Sequence, residues 1–462
     1  MGNTVGIHQP ERQCVSGRFN AKRPSCHASP IDRLFFNPLL VTLVMRTIYI
    51  NAGPMVHFGS GNTGIEDSLH GVGMGIVVNG EVVECIKSSD ELTAEWSLDG
   101  PPTNHQQEEH AVFDLRGQAI VPGLIDGHTH LLWAGDRSRE VSWRREGKSY
   151  AEISALGGGI QHTVNQTRVA SDDLLVQLGY QRLREALRTG TTHMEAKSGY
   201  GLTTESELRL LELTERLNRI AHVPSIDSTW MGAHDVPNDT TPNAYVESLM
   251  SDQLPAVIEQ GLARSADVFC EPGWFTVEQS EDILVAARKG GLDLRMHVDE
   301  FTDGGGGELA ASLRVSTADH AYHTPMDTRL RMSEASVNTG FLPGTPYAMG
   351  DPWPDMSTII DHNIGFTLAS DFNPNCRTLS LPFMASLMVQ RCSVHPLEAL
   401  AAITVNAANV SPHPSGISHG RIVEGGAANF NIVDGPHWEA ATLRPTATPF
   451  SGTVLNGRYI SH

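Results

Sequence analysis

The sequence is poor in several features that would place it in common functional classes. Its 462 residues include only six cysteines, which are dispersed and form no Cys-x-x-Cys pair, so we predict reduced thiols and neither a disulfide framework nor a zinc knuckle. No apolar run reaches the ~18 residues of a membrane span. Basic residues are outnumbered 33 to 53 by acidic ones, and the formal net charge of -20 argues against a nucleic-acid or anionic membrane partner. These absences favour a cytoplasmic protein.

The chain divides into a leader, two β-rich ends and a long middle. Residues 1–44 carry a surplus of basic residues and end in an apolar run that resembles the core of a signal peptide. An Asn-Pro inside that run favours instead a leader without a fold of its own. Strand-like runs follow over residues 45–117, with a hairpin turn predicted at Asn79-Gly80. Similar strand-like runs occur again over residues 421–462. We expect these two ends to form one small β-sandwich domain.

Residues 118–420 alternate short apolar runs with longer amphipathic stretches. Eight runs are predicted to be strands: Gln118–Ile125, Thr191–Ala196, Ser225–Gly232, Ala266–Cys270, Asp293–Val298, Ser316–Asp319, Val337–Leu342 and Gly365–Ser370. Helical patterns lie between them, at Asp172–Arg188, Thr204–Ala221, Val277–Gly290 and Gly306–Leu313. This alternation predicts a (β/α)₈ barrel of the TIM type, in which the chemistry lies where strands end and loops begin.

Metal-binding side chains follow three of the predicted strands. His128 and His130 stand at alternate positions after the first run, and the two-residue period of a strand would point both the same way. Alone, this pair is equally compatible with ordinary hydrogen-bonded histidines. With His297 and Asp371 it supplies nitrogen and oxygen ligands for one metal ion, either divalent zinc (Zn²⁺) or iron (Fe²⁺ or Fe³⁺), with a position left for water.

Longer strings in the same order resemble the amidohydrolase superfamily and, within it, the imidazolonepropionases of histidine degradation. The superfamily resemblance rests on Pro122–His130, His297, His320 and Asp371. The closer resemblance runs from about Thr47 to about Val433 and rests on Gly135–Arg137, Gly157–Ile160, Lys197–Gly201, Gly232–His234, Asp267–Glu271, His297–Glu300, Ala318–His320 and Asp371–Pro374.

The resemblance implies a reaction, a set of residue roles and a homodimer. The reaction is metal-dependent hydrolysis of the ring C–N bond of 4-imidazolone-5-propanoate to N-formimidoyl-L-glutamate. By resemblance, His128, His130, His297 and Asp371 match the metal ligands, and Glu300 and His320 match the pair that transfers protons. Substrate contacts are implied for Arg137, which suits the propanoate carboxylate, and for Tyr200, His234, Glu300 and Asn373.

Two departures from the usual pattern and two glycine runs leave alternatives open. After Pro374 the chain has Asn375 and Cys376 where the family has a glycine and a small hydroxyl residue, so we assign neither a role. Lys197 could suggest a carboxylated lysine that bridges two metals, but such a lysine belongs at the fourth strand and Lys197 falls at the second. We expect it to be structural or to lie behind the ligands. The run Gly157–Gly159 is either a loop over the site or a simple turn. Asp303–Gly307 lacks the Lys-Ser/Thr of a phosphate loop and is predicted to be a flexible connection.

Two other functions are compatible with parts of the pattern. A deaminase of a nucleobase-like ring would keep the metal ligands, but it would have no carboxylate for Arg137 and Tyr200 to bind. A catalytically silent barrel that serves as a scaffold would typically have lost ligands, whereas all four are present here together with Glu300 and His320.

Overall fold

The structure, a computed structural model, describes residues 46–59, 68–98, 110–444 and 447–462. The predicted leader lies outside the described residues. The strands are β1 Arg46–Ile50, β2 Met55–Val56, β3 Leu69–His70, β4 Met74–Asn79, β5 Val82–Ser88, β6 His110–Asp114, β7 Ile120–Pro122, β8 Leu124–Asp126, β9 Thr191–Lys197, β10 Ser225–Ala233, β11 Ser265–Cys270, β12 Asp293–Val298, β13 Thr317–His320, β14 Asn338–Phe341, β15 Phe366–Leu368, β16 Phe430–Val433, β17 Phe450–Leu455 and β18 Arg458–Ser461.

The helices lie mainly between the strands of the middle region. They are α1 Ser89–Trp96, α2 Glu140–Arg145, α3 Tyr150–Ala155, α4 Gly159–Val169, α5 Asp172–Arg188, α6 Thr204–Asn218, α7 Pro242–Ser248, α8 Leu254–Gln260, α9 Val277–Lys289, α10 Gly306–Leu313, α11 Met326–Glu334, α12 Gly344–Met349, α13 Met356–Asp361, α14 Leu381–Cys392, α15 Pro396–Ala402 and α16 Val405–Val410. A π-helical turn at Leu249–Gln253 joins α7 to α8, and a 3₁₀ turn spans Trp438–Thr442. Across the described ranges, no helix combines the length and apolarity needed to cross a membrane.

Strands β8 to β15 form one eight-stranded sheet in which neighbours in the chain are neighbours in space and run parallel. A parallel bridge between Thr129 and Phe372 joins the segments that follow β8 and β15, so the sheet curves into a nearly closed barrel. Every residue of β9 and β11 is buried, as expected for parallel strands covered on both faces. The (β/α)₈ prediction is confirmed.

Local sequence signals explain where the barrel helices begin. Helix α9 starts with a capping box, in which the Thr276 side chain accepts from the Gln279 backbone and the Gln279 side chain accepts from the Thr276 backbone. Ser171 and Thr203 cap α5 and α6 in the simpler way, by accepting one backbone N–H each. The caps of α6 and α9 fix where the connections after β9 and β11 end, and these connections carry Tyr200 and Glu271.

The predicted strand over Gln118–Ile125 was wrong in one respect, because the run contains two strands of different sheets. β7 pairs with β16, whereas β8 pairs with β9. Gly123 lies between them, and a Cβ there would stand 2.4 Å from the Thr192 Oγ1. Both short strands are fully buried, so the apolar pattern continues without a break where the chain passes from one sheet to the other.

The remaining strands form two sheets outside the barrel. One has the order β5-β4-β1-β6 and the other β18-β17-β16-β7-β2-β3. They share a core that includes Tyr49 and Ile76 from the first sheet and Phe430 and Val454 from the second. Segments from both ends of the described chain therefore make one β-sandwich, as predicted; its boundaries at residues 117/118 and 420/421 stay a prediction.

Candidate active site

Four predicted ligands converge at the carboxyl ends of three barrel strands. One ligand nitrogen each from His128, His130 and His297 lies within 4.8 Å of the others. Asp371 Oδ1 lies 3.6 Å from His128 Nε2 and 3.8 Å from His130 Nε2. All four side chains are buried. Asp371 has a left-handed backbone, with φ of +47°, a sparsely populated conformation that is often found at functional sites.

The donor set fits a metal ion. The Nε2 atoms of His128 and His297 are buried and have no hydrogen-bond partner among the described residues, an arrangement that is costly unless a ligand satisfies them. Burial lowers the pKa of His128 and of His130 well below the usual value, so both imidazoles are neutral, as metal ligation requires. Burial also raises the pKa of Asp371, to about 6.

A layer of buried carboxylates stands behind two of the histidines. His128 Nδ1 lies 2.7 Å from Asp319 Oδ2, and His297 Nδ1 lies 2.9 Å from Asp267 Oδ1. A hydrogen bond donated at Nδ1 leaves the lone pair on Nε2, where a metal would bind. The sequence analysis assigned no role to Asp267 or Asp319. The sequence did contain a signal for both residues. Each is a charged residue inside an apolar strand, and a buried charge needs a partner.

Lys197 belongs to the same buried layer. Its Nζ donates to Asp267 Oδ2 at 2.7 Å and to Glu195 Oε1 at 2.9 Å, and all three side chains are fully buried. Burial alone would lower the pKa of Lys197, but the two carboxylates outweigh it and the pKa is raised. Lys197 thus lies behind the ligands, as the sequence analysis expected.

Glu300 and His320 stand side by side next to the candidate ligands. His320 Nε2 lies 3.6 Å from Glu300 Oε2. Burial, reinforced by the nearby Asp371 carboxylate, raises the pKa of Glu300 well above its usual value. The backbone N–H of Glu300 donates to Glu271 Oε2 at 2.9 Å, which holds the loop after β12. The role of Glu271 was not predicted.

A cavity of about 100 Å³ opens beside the candidate ligands and contains the predicted substrate residues in its wall. Tyr200 and His234 are neighbours there, with ring centroids 5.1 Å apart. His234 Nδ1 lies 2.8 Å from the Gly199 carbonyl oxygen, and burial lowers the pKa of His234 to about 3. The ring is therefore a neutral imidazole that donates at Nδ1 and presents an acceptor at Nε2.

Arg137 also lines this cavity, and Glu140 holds it in place. Arg137 Nε and Nη2 donate to the two Glu140 carboxylate oxygens at 2.7 and 2.9 Å. Both residues are buried, with 5% and 2% exposure. Burial opposes ionisation of Glu140, but its ion pair with Arg137 outweighs this and the pKa is lowered. The sequence analysis did not predict a partner for Arg137.

Asn373 lines the cavity, but its side-chain amide already makes hydrogen bonds to neighbouring residues in the chain. Its Nδ2 donates to the Asp371 carbonyl oxygen at 2.8 Å, and its Oδ1 accepts from the Asn375 backbone at 2.8 Å and from Cys376 at 3.2 Å. The backbone amides of residues 375 and 376 thus help to form the turn that follows Asp371. Asn375 Oδ1 accepts in turn from Arg144 Nη1 at 3.2 Å. A substrate contact by Asn373 stays a prediction.

The two glycine runs have structural roles. Gly159 begins α4, and its N–H donates to Glu140 Oε1 at 2.8 Å. In the run Asp303–Gly307, the amides of Gly304, Gly306 and Gly307 donate to the Asp299 carboxylate, each at 3.1 Å. An internal carboxylate occupies these N–H groups, which agrees with the prediction that the run is a connection and not a phosphate site.

No family model matches the chain, but individual relatives do. It is 38% identical over 360 residues to the imidazolonepropionase of Haloarcula marismortui, which spans 78% of this chain and 83% of the relative. Identity to the imidazolonepropionase of Halobacterium salinarum is 38% over 393 residues, or 84% and 91% of the two chains. For that of Alkaliphilus metalliredigens it is 39% over 330 residues, or 71% and 78%.

Solved structures share the fold at lower sequence identity. A 5-methylcytosine deaminase from Klebsiella pneumoniae superposes with a TM-score of 0.65 at 15% identity, over 89% of this chain and 97% of that one. An atrazine chlorohydrolase from Arthrobacter aurescens gives 0.62 at 14% identity, over 90% and 95%. These likenesses support the architecture alone. The sequence relatives go further, because they are similar over most of both chains: the chain belongs to the imidazolonepropionase family.

Proposed function

We propose that this chain hydrolyses 4-imidazolone-5-propanoate at a ring C–N bond and forms N-formimidoyl-L-glutamate, with one divalent metal ion at the site. Membership of the family makes the chain a hydrolase of histidine catabolism that acts on a small molecule. The observation that carries the proposal is that His130, His297 and Asp371 line the same cavity as Arg137, with His128 beside them. A ring with a carboxylate tail needs both groups.

His128, His130, His297 and Asp371 are the residues that would hold the ion, and their nitrogen and oxygen donors suit either zinc or iron. When bound there, such an ion polarises a carbonyl group or lowers the pKa of water toward neutrality. Asp319 and Asp267 orient His128 and His297 through their Nδ1 atoms. The protein thereby holds these two histidines in one tautomer, with the lone pair on Nε2.

Glu300 and His320 are assigned the proton transfers. In the reaction the water oxygen bonds to the ring carbonyl carbon, the C–N bond to the adjacent nitrogen breaks, and that nitrogen takes up a proton. The raised pKa of Glu300 suits a carboxylate that accepts a proton from water and then donates it to the departing nitrogen. His320 lies close enough to assist this exchange.

Arg137 is assigned the propanoate carboxylate, because a guanidinium matches a carboxylate in charge and shape. Tyr200 and His234 line the same cavity and would contact the substrate beside it, with Asn373 as a further contact. A nucleobase-like substrate has no carboxylate, so the buried arginine favours the imidazolone over a deaminase substrate.

The test is hydrolysis of freshly generated 4-imidazolone-5-propanoate by purified, metal-loaded protein, followed by loss of the ring chromophore. Arg137→Ala should abolish most of the turnover, whereas Arg145→Ala, which removes an exposed arginine of α2, should leave it unchanged. Wild-type protein that binds metal but leaves this substrate intact would refute the proposal, and amino-heterocycles would then test the deaminase alternative.

We also propose a homodimer in the cytoplasm, from the family resemblance and the composition. Light scattering of the purified protein would test the dimer. The limits of the sandwich (45–117 with 421–462) and of the barrel (118–420) remain part of this proposal, and limited proteolysis would test them.

A further inference from the structure

Glu140 lies between the substrate cavity and the glycine-rich start of α4. It is the first residue of α2 and is 2% exposed. Besides the two hydrogen bonds from Arg137, its Oε1 accepts the N–H of Gly159 at 2.8 Å. Arg144 Nη1 lies 3.7 Å from its Oε2. One carboxylate thus joins Arg137 to the start of α4 and also lies near Arg144 of its own helix.

The geometry of the pair constrains how Arg137 meets a ligand. A two-point contact between a guanidinium and a carboxylate fixes the plane of both groups. Glu140 occupies the edge formed by Nε and Nη2, so that edge is closed to a substrate carboxylate. Gly159 is followed by Ile160, which lines the same cavity. The arginine and this wall are therefore tied to one buried group.

We infer that Glu140 is a positioning residue for Arg137, the anchor of the substrate carboxylate. It sets the plane of the Arg137 guanidinium and fixes its position relative to the start of α4. The inference rests on the proposed function, in which Arg137 binds the propanoate group. Glu140 itself touches no reacting atom in this scheme and acts through Arg137.

The variant Glu140→Gln distinguishes two roles of Glu140, namely positioning Arg137 and neutralising its charge. The amide offers one acceptor oxygen and turns an NH₂ group toward an arginine N–H, so Arg137 loses its fixed plane. Poor positioning weakens carboxylate binding. If Glu140 only neutralised Arg137, removing its negative charge would instead strengthen carboxylate binding. The two roles therefore predict changes of opposite sign.

The measurement is competitive inhibition by two probes, imidazole-4-propanoate and the neutral 4-propylimidazole. The ratio of their inhibition constants isolates the contribution of the carboxylate, because ring and chain length are shared. For Glu140→Gln we expect this preference to fall on the order of tenfold, as for loss of a charge-assisted hydrogen bond, with KM raised and kcat reduced much less. Glu308→Gln removes a carboxylate from the exposed ion pair with Arg331 and should leave the ratio unchanged.

Two further variants guard against misfolding and indirect effects. Gly158→Ala would place a Cβ 2.8 Å from both Glu140 Oε1 and Ile153 Cγ2, so in a folded variant it should displace the carboxylate without removing it and lower the preference in the same direction. In an Arg137→Ala background, Glu140→Gln should change the ratio no further, because its effect passes through Arg137.

The outcomes distinguish this inference from the proposed function. A wild-type protein that binds both probes equally would refute the anchor role of Arg137, and the inference with it. If the wild type prefers the carboxylate probe and Glu140→Gln keeps or increases that preference, the inference alone is overturned. An equal loss of affinity for both probes would also overturn it, because it would show a general structural role.

Discussion

Replacing Asp319 by alanine tests whether the carboxylates behind the histidines tune the metal site. We expect Asp319→Ala to weaken metal binding while the protein remains folded. In the structure Asp319 Oδ2 lies 2.7 Å from His128 Nδ1, and Asp319 Oδ1 accepts from Thr317 Oγ1 at 2.6 Å. Without this acceptor, the proton of the neutral His128 ring is free to move to Nε2. That tautomer has no lone pair on Nε2, the nitrogen that faces the candidate metal site.

The size of the effect follows from how such partners act in other metal sites. Removal of a hydrogen-bond partner from a ligating histidine typically costs about 10–100-fold in metal affinity, which corresponds to about 1.4–2.7 kcal/mol. The short contact and full burial of His128 and Asp319 place the expectation toward the upper end. His130, His297 and Asp371 remain, so binding should be weakened and not abolished.

The assay is metal competition against a chelator of known affinity, with thermal unfolding recorded on the same samples. Asp227→Asn is the matched control, because it alters another buried carboxylate, which is paired with Arg264 and Ser411 and contacts none of the candidate ligands. The control should lose stability and keep metal affinity. If Asp319→Ala binds metal as tightly as the wild type, then the reasoning about the tautomer of His128 is wrong.

Three other perturbations have defined outcomes. Lys197→Met leaves the carboxylates of Glu195 and Asp267 buried without their cation, and the free energy of unfolding in urea should fall by about 3–5 kcal/mol; a loss below about 1 kcal/mol would contradict the buried network. Gly340→Ala would place a Cβ 2.0 Å from Asp319 Oδ1, so its metal affinity should fall as in Asp319→Ala, and a folded variant with wild-type affinity would count against this. Chelation of the metal should abolish activity and lower the melting temperature, since a ligand at about 1,000 times its Kd stabilises by about 4 kcal/mol; metal-free protein that melts like the loaded form would rule out a metal site coupled to folding.

The barrel could be predicted because its strands are buried on both faces and read as continuous apolar runs. The exception was the junction of β7 and β8, where two buried strands of different sheets follow each other and only Gly123 separates them. The helices α2, α3 and α4 were also missed. In the long connection between β8 and β9, α2 and α3 have only six residues each and α4 begins in a glycine run, so the periodic signal is weak.

The candidate ligands could be placed together because the ends of parallel barrel strands meet on one face. Their hydrogen-bond partners could not, because they lie in distant parts of the chain. Asp319 is 191 positions from His128, and Asp267 is 30 positions from His297. Glu140 was nearer, three residues after Arg137, but the pairing depends on the start of α2, which the sequence did not predict.

The short step from β7 to β8 has a consequence for biosynthesis. The segment that carries His128 and His130 is tethered through β7 to β16, and Asn431 Nδ2 donates to the Pro122 carbonyl oxygen across 309 positions of sequence. In a nascent chain, this edge of β7 has no partner until β16, about 300 residues later, has been made. Unpaired edges of this kind are prone to aggregate. Pairing of β7 with β16 thus follows synthesis of all eight barrel strands, and we expect the segment with the first two candidate ligands to be fixed only then.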